Sequence, residues 1–267
     1  MEYLLDLAPL LAIIAALVGL VFWWQWRGNR KKGREHAEAL AAFAGALGGR
    51  VVGPEEAEPW SAELLAPLRD ETDGVINRMG MASRRRYETA LDFRRGRWSV
   101  RVGEASVQKS IDNGTRTAYE LRIEVATSPV TPMRVSHRSY LAKDLFGRPL
   151  PPDNVEAQGG ELVREVPVTV ARGGGQWVRV ALPPGPFDTR FAVFTSDPAA
   201  ATRAFGPRAV EHLLDQGDAL PRVLHFEAGL VFGTVPDRID PDHVLRAVDA
   251  ILGLLDRMGV APGQLPR

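Results

Sequence analysis

His137 stands between Ser136 and Arg138, with Ser139 and Asp144 close by along the chain. Serine, histidine and aspartate are the groups of an acyl-transfer centre: the hydroxyl attacks, the imidazole takes its proton, and the carboxylate orients the ring. That chemistry needs three side chains converging at one point, which sequence proximity alone does not supply. The other histidines, His36, His212, His225 and His243, do not pair at metal-ligand spacing. His212 is expected on a helix surface beside Glu211 and Asp215, and His225 on the exposed face of a strand. The chain has no cysteine, which removes disulfides, thiolate metal sites and a cysteine nucleophile. Gly173–Gly175 joins two expected strands and opens no helix, so it lacks the helix N-terminus of a phosphate cradle. No P-loop, dinucleotide-binding glycine pattern, nucleophile-elbow serine or paired-histidine zinc helix occurs. The residues predict no catalytic, cofactor-binding or metal-binding constellation.

Arginine supplies the other concentrated chemistry. Arg84, Arg85 and Arg86 form one run, and Arg94, Arg95 and Arg97 another. Arg94 and Arg97 should face each other across a hairpin tip, which is mildly unfavourable without an anion between them. Arg94, Arg95 and Arg97 are therefore candidate contacts for an anion or for lipid headgroups. Across the whole 267 residues, Lys plus Arg equals Asp plus Glu at 33 each, so no basic excess advertises a nucleic-acid partner. A content of 45% hydrophobic and 25% charged residues excludes a disordered or low-complexity chain.

The elements that position these groups read as mainly antiparallel β-structure. Tyr87, Thr89, Leu91 and Phe93 alternate with polar residues, as do Trp98, Val100 and Val102. A two-residue Arg95-Gly96 turn predicts a hairpin pairing Phe93 with Trp98 and Leu91 with Val100. A third strand follows in Tyr119, Leu121, Ile123 and Val125, with Glu120, Arg122 and Glu124 on a wet face. A short helix is expected over 35–47, and Gly53 to Pro67 reads as a surface connection. A second hairpin is expected from Leu162–Val170 and Gln176–Leu182. Beyond it the order is β-α-β-β-α. A strand spans Phe187–Thr195, and Asp197 caps a helix with Pro198 behind it. A hairpin turns at Ala228-Gly229, and Asp240 caps a final helix. That helix should bury Val244, Leu245, Val248, Ile251, Leu252 and Leu255.

The N-terminus carries a different signal. Leu7–Trp24 is uncharged and long enough for a hydrocarbon core. Trp23, Trp24 and Trp26 gather at one end, followed by Arg27, Arg30, Lys31, Lys32 and Arg34. These eight residues predict a membrane interface, and the basic flank predicts an inner-membrane span with the N-terminus out and the rest cytosolic. Small residues at four-residue spacing, Ala8, Ala12 and Ala16 with Ala15 and Gly19 beside them, suggest pairing of two spans into a homo-oligomer.

The string FDTRFAVFTSDPAAATRAFGPRAVEHLLDQ followed by LHFEAGLVFGTV resembles the C-terminal region of an uncharacterised family of bacterial membrane-anchored proteins. The resemblance rests on Phe187, Phe191, Val193, Asp197, Pro207, Leu213, Leu214, Phe226 and Leu230. It covers about a quarter of the chain and implies a membrane-anchored class with no assigned activity. The family's helix break carries Leu-Leu-Thr-Pro where this chain has Ala204-Phe205-Gly206-Pro207, and its members often carry two spans.

The expected fold class is α+β: one transmembrane helix, then a cytosolic antiparallel sheet with packed helices. The expected divisions are 1–26 anchor, 27–34 basic segment, 35–186 mainly β, 187–259 β-α-β-β-α and 260–267 tail. The expected function is a binding or scaffolding module, with the lipid bilayer and an unidentified protein as partners. The alternative is a membrane-anchored hydrolase using His137 and its Ser and Asp neighbours.

Overall fold

The computed structural model describes residues 20, 23–24, 27, 31, 33–65, 86–111, 114–138, 168–172, 175–180 and 185–264. Strands are β1 (Arg50–Val52), β2 (Arg86–Arg95), β3 (Trp98–Ile111), β4 (Gly114–Ala126) and β5 (Met133–His137). They continue with β6 (Thr169–Arg172), β7 (Gly175–Arg179), β8 (Phe191–Thr195), β9 (Val223–Glu227) and β10 (Leu230–Val235). Helices are α1 (residues 33–46), α2 (Pro186–Arg190), α3 (Pro198–Ala204), α4 (Pro207–Gln216) and α5 (Pro241–Arg257). Among the described residues the strands form one ten-stranded antiparallel sheet, ordered β1-β2-β3-β4-β10-β9-β5-β8-β7-β6.

Alternation along each strand builds one apolar face. Leu91 and Phe93, then Trp98, Val100 and Val102, then Leu121, Ile123 and Val125 share a core with Met133, Val135, Val193, Leu224 and Phe226. The same core includes Leu40 and Ala44 of α1, Ala201 of α3, Leu213 of α4 and a stripe of α5. In that last stripe Val244, Val248, Ile251, Leu252 and Leu255 are buried as expected, with Leu254 replacing Leu245. Asp240 caps α5 by accepting from Asp242 N and His243 N, and Asp197 caps α3 by accepting from Ala200 N.

The first hairpin keeps its expected faces and loses its expected register. Phe93 pairs with Val100, Leu91 with Val102 and Arg95 with Trp98, so the turn residues are Gly96-Arg97. Gly96 has φ +59°. A two-residue loop with glycine first is a favoured hairpin turn, and it moves the turn one position along from Arg95-Gly96. The partner strand slips by two residues, an even number, so no side chain changes face. The β9–β10 hairpin turns where expected, with Ala228 and Gly229 both at positive φ. The segment read as one strand over 187–195 divides into α2 and β8. Residues 162–167 of the other expected hairpin lie outside the described residues.

The N-terminal expectations require correction. Among the described residues no helix is long and apolar enough to cross a membrane. Most of the Leu7–Trp24 run, with its small-residue stripe, lies outside the described residues. Where helical residues are described, Leu20, Trp23 and Trp24 give way within about two turns to Arg27 and Lys31 on the same stripe. The fold class is thus a strand-rich antiparallel sheet with a few packed helices, in place of a transmembrane helix followed by a domain. The single-pass inner-membrane localisation and the pairing of spans are withdrawn with it.

The wet face is also corrected. Glu124, Arg122 and Glu120 are 0%, 1% and 7% exposed. Residues 53–65 pass over them, and Leu65 and the half-buried Trp60 and Leu64 pack on Ala126, Leu230 and Phe232. Both faces of this part of the sheet are therefore covered.

Candidate functional site

Helix α1 is docked by its apolar side and by one buried acid. Leu40 and Ala44 enter the core, and Gly48, at φ +64°, lets the chain leave the helix, with Gly49 N donating to Ala44 O at 2.8 Å. His36 Nε2 lies 3.2 Å from Oε2 of Glu104 on β3. The Glu104 side chain also accepts from Arg238 Nε and Nη2, at 3.2 Å each, and from Ile239 N at 2.9 Å. Four donors on one carboxylate tie α1 and the β10–α5 connection to the sheet.

Preceding this anchored stretch, the helical residues turn outward. Leu20, Trp23 and Trp24 are 63%, 52% and 75% exposed. Spacing of three and four residues puts them on one side with Arg27 and Lys31, also exposed. The Arg27 guanidinium sits 5.5 Å from the Trp23 ring centre, and Lys31 Nζ lies 3.7 Å from Glu35. Arg34 is helical and exposed. Trp26, Arg30 and Lys32 lie outside the described residues.

The His137 constellation does not assemble among the described residues. Ser136 and His137 are consecutive on β5 and therefore face opposite sides of the sheet. Ser136 Oγ accepts from Arg134 Nε at 2.7 Å on its own side. His137 meets the edge of Phe191 at 5.2 Å on the other. Burial, then the charges of Arg222 and Arg190, hold its imidazole below the ordinary histidine range, against a weaker pull from Asp218. Ser139 and Asp144 lie outside the described residues.

The remaining histidines have structural settings. His212, expected at a surface, is buried and its Nε2 lies 2.8 Å from the Ala250 carbonyl, joining α4 to α5. His225, also expected to be exposed, is 3% exposed and stacks on Phe232 at 4.9 Å. The reasons differ: His212 lies on the buried stripe of α4 with Ala209 and Leu213, whereas His225 lies on the second face of the sheet, which is covered too. His243 stands 3.8 Å from Asp240 at the start of α5. Among the described residues no group of three His, Asp or Glu has metal-binding proximity.

At the hairpin tip, Arg95 donates through Nε and Nη2 to Asp249 at 2.9 and 2.8 Å, and Arg97 Nη2 donates to Asp256 at 2.6 Å. Arg94 is exposed. Two of the three guanidiniums thus bind the outer side of α5, and the opposition expected between Arg94 and Arg97 does not occur: in the observed register Arg94 faces Ser99 and Arg97 lies in the turn.

The buried charged array under residues 53–65 escaped the sequence reading. Glu124 accepts from Trp60 N, Ser61 N and Ser61 Oγ at 2.9, 2.8 and 2.6 Å. Arg122 donates to Glu120, to Ser61 Oγ and to the Leu65 carbonyl. Arg101 forks onto Asp92, reaches the Glu58 carbonyl and lies over the Trp60 ring. Burial raises the Glu124 carboxyl above its ordinary value despite the hydrogen bonds from Ser61 and Trp60. Glu-x-Arg-x-Glu reads as a solvated edge; the signal against that was Trp60 with Leu64 and Leu65, apolar residues that need a surface to cover.

No protein-family model matches the chain, and no curated protein matches it. Among solved structures, the chain is similar to the crystal structure of the mycobacterial trehalose monomycolate transport factor A, TtfA. The two are 12% identical, the likeness covers 85% of this chain and 95% of that one, and the TM-score is 0.45.

Proposed function

We propose that this protein is a non-catalytic binding module that rests against an anionic lipid surface through the outward side of its N-terminal helical residues. The observation that carries this is the exposure of Leu20, Trp23 and Trp24 beside Arg27 and Lys31. Apolar and indole groups next to basic ones match the layering of a lipid–water boundary, where rings sit at headgroup depth and cations meet phosphates. Each basic residue near an anionic surface contributes about 1 kcal/mol. The contact is superficial and invokes no span. The sheet and α5 form the scaffold behind it, and Glu104 fixes α1 to that scaffold. The hydrolase alternative loses Ser136 as the partner of His137, since the two point to opposite faces.

Co-sedimentation of the full chain with vesicles tests the reading. Phosphatidylglycerol-containing vesicles should retain it better than pure phosphatidylcholine, with retention falling as salt rises. Trp23→Ala with Trp24→Ala should weaken retention on both, and Arg27→Gln with Lys31→Gln on the anionic vesicles only. Equal retention of all variants would overturn the assignment.

A further inference from the structure

Arg138 and Arg179 reach the same carboxylate from different strands. Arg179 Nη2, at the end of β7, donates to Asp188 Oδ1 on α2. Arg138, directly after β5, holds its Nη2 3.5 Å from Oδ2 of the same residue. That is well beyond the roughly 2.7–2.9 Å of a charge-assisted hydrogen bond. Yet the Arg138 side chain is only 19% exposed, and its Nε is sealed from water without a hydrogen-bond partner. A buried guanidinium is costly unless its donors are met, and here one of them, Nε, is left unmet.

Among the described residues no second carboxylate pairs with either arginine. Two guanidiniums share one carboxylate, which leaves a positive charge among side chains 19%, 26% and 39% exposed. Arg190, also on α2, spends its donors on the Leu214 carbonyl and on Asp218. His137, the residue before Arg138, is held toward its neutral form by burial and then by arginine charge.

We infer that Arg138 and Arg179, set about Asp188, form a binding site for an oxyanion of the phosphate type. Planar guanidinium forks match tetrahedral oxyanions, and one Nη2 from each arginine already faces the same carboxylate. Asp188 acts as the spacer: it orients the Arg179 fork and holds the two strands' arginines at one place. Its own charge opposes a second anion, so the site favours a ligand that engages both forks at once over a simple halide. A phosphate group of this kind can be free or can belong to a lipid headgroup.

The test is thermal unfolding of the full chain in phosphate against chloride at matched ionic strength, with line broadening of the phosphate 31P signal as a direct readout. Phosphate should raise the midpoint where chloride does not. Arg138→Gln and Arg179→Gln should each weaken phosphate binding by about tenfold or more, while Arg208→Gln, exposed on α4, should not. Arg138→Lys keeps the charge and loses the fork, so it should fold and still bind more weakly. Tighter binding of glycerol 3-phosphate than of inorganic phosphate would assign the source to a headgroup, and the reverse order to free phosphate. Equal effects of phosphate and chloride, or unchanged phosphate binding in Arg138→Gln and Arg138→Lys, would overturn the site.

Discussion

His36 on α1 and Glu104 on β3 meet at 3.2 Å across 68 positions of sequence, over the helix-covered face of the sheet. Glu104 is 1% exposed, and Arg238 and the Ile239 amide complete its shell. A buried carboxylate with this many donors is costly to remove, because the donors stay behind without an acceptor.

Glu104→Ala should therefore lower stability by about 3–5 kcal/mol. Equilibrium urea unfolding measures it, and a loss below about 1 kcal/mol would show that water replaces the carboxylate easily. The same variant should expose α1 to proteolysis before the sheet, since His36 loses its partner.

Legibility in the sequence followed the covered apolar face. Phe93, Trp98, Val100, Leu121 and Ile123 announce their side by alternation, and a register error at Gly96 did not disturb it. The α5 stripe was nearly as clear, with Leu254 in place of Leu245, although the ion pairs of Asp249 and Asp256 on its outer side with Arg95 and Arg97 were not foreseen. The second face was not legible. Alternation assigns Glu120, Arg122 and Glu124 to the side opposite the core, but it cannot say whether a distant segment lies over that side. Arg138 and Asp188 are 50 positions apart in sequence, and only β5–β8 pairing brings them together. At the N-terminus, an uncharged run with a Trp and basic flank predicted a span, but among the described residues no helix is long and apolar enough to cross a membrane.

Acid should weaken the fold through His225 and His137. Burial, with Arg134, Arg172 and Arg122, holds His225 well below the ordinary histidine range, and burial with Arg222 and Arg190 lowers His137. Between the depressed folded value and the unfolded value near 6.5, the unfolded chain binds more protons. Stability is therefore full above that unfolded value and falls as pH drops below it. Glu124, raised in the fold, acts oppositely: it favours the native state as pH falls toward and below the carboxylate range. Urea midpoints measured from pH 8 to pH 5 should decline, with a shallower decline in His225→Gln. A flat profile in the wild type would contradict the buried setting of both rings.

Trp98 tests the first hairpin. The ring is 3% exposed and Arg97 lies over it at 5.1 Å. Trp98→Ala should cost about 3–5 kcal/mol. The two ion pairs beside it are half-exposed, so Asp249→Ala and Asp256→Ala should each cost only about 0–1 kcal/mol. Unfolding of the three variants separates packing from charge: comparable losses in all would mean that the tip is held by its arginines.

Gly253 on α5 tests the contact between α4 and α5. A Cβ there would fall 2.7 Å from His212 Cε1 and 3.0 Å from its Nε2. That same Nε2 is bonded to the Ala250 carbonyl at 2.8 Å. Gly253→Ala should gain up to about 1 kcal/mol of intrinsic helix propensity. It should lose more, about 1–3 kcal/mol, as the ring is pushed from its site and a buried donor is left unmet. In His212→Ala the ring is absent, so adding Gly253→Ala should then stabilise. The double-mutant cycle decides the matter: opposite signs for Gly253→Ala in the two backgrounds establish the contact, and equal effects would mean that His212 does not sit against this turn of the helix.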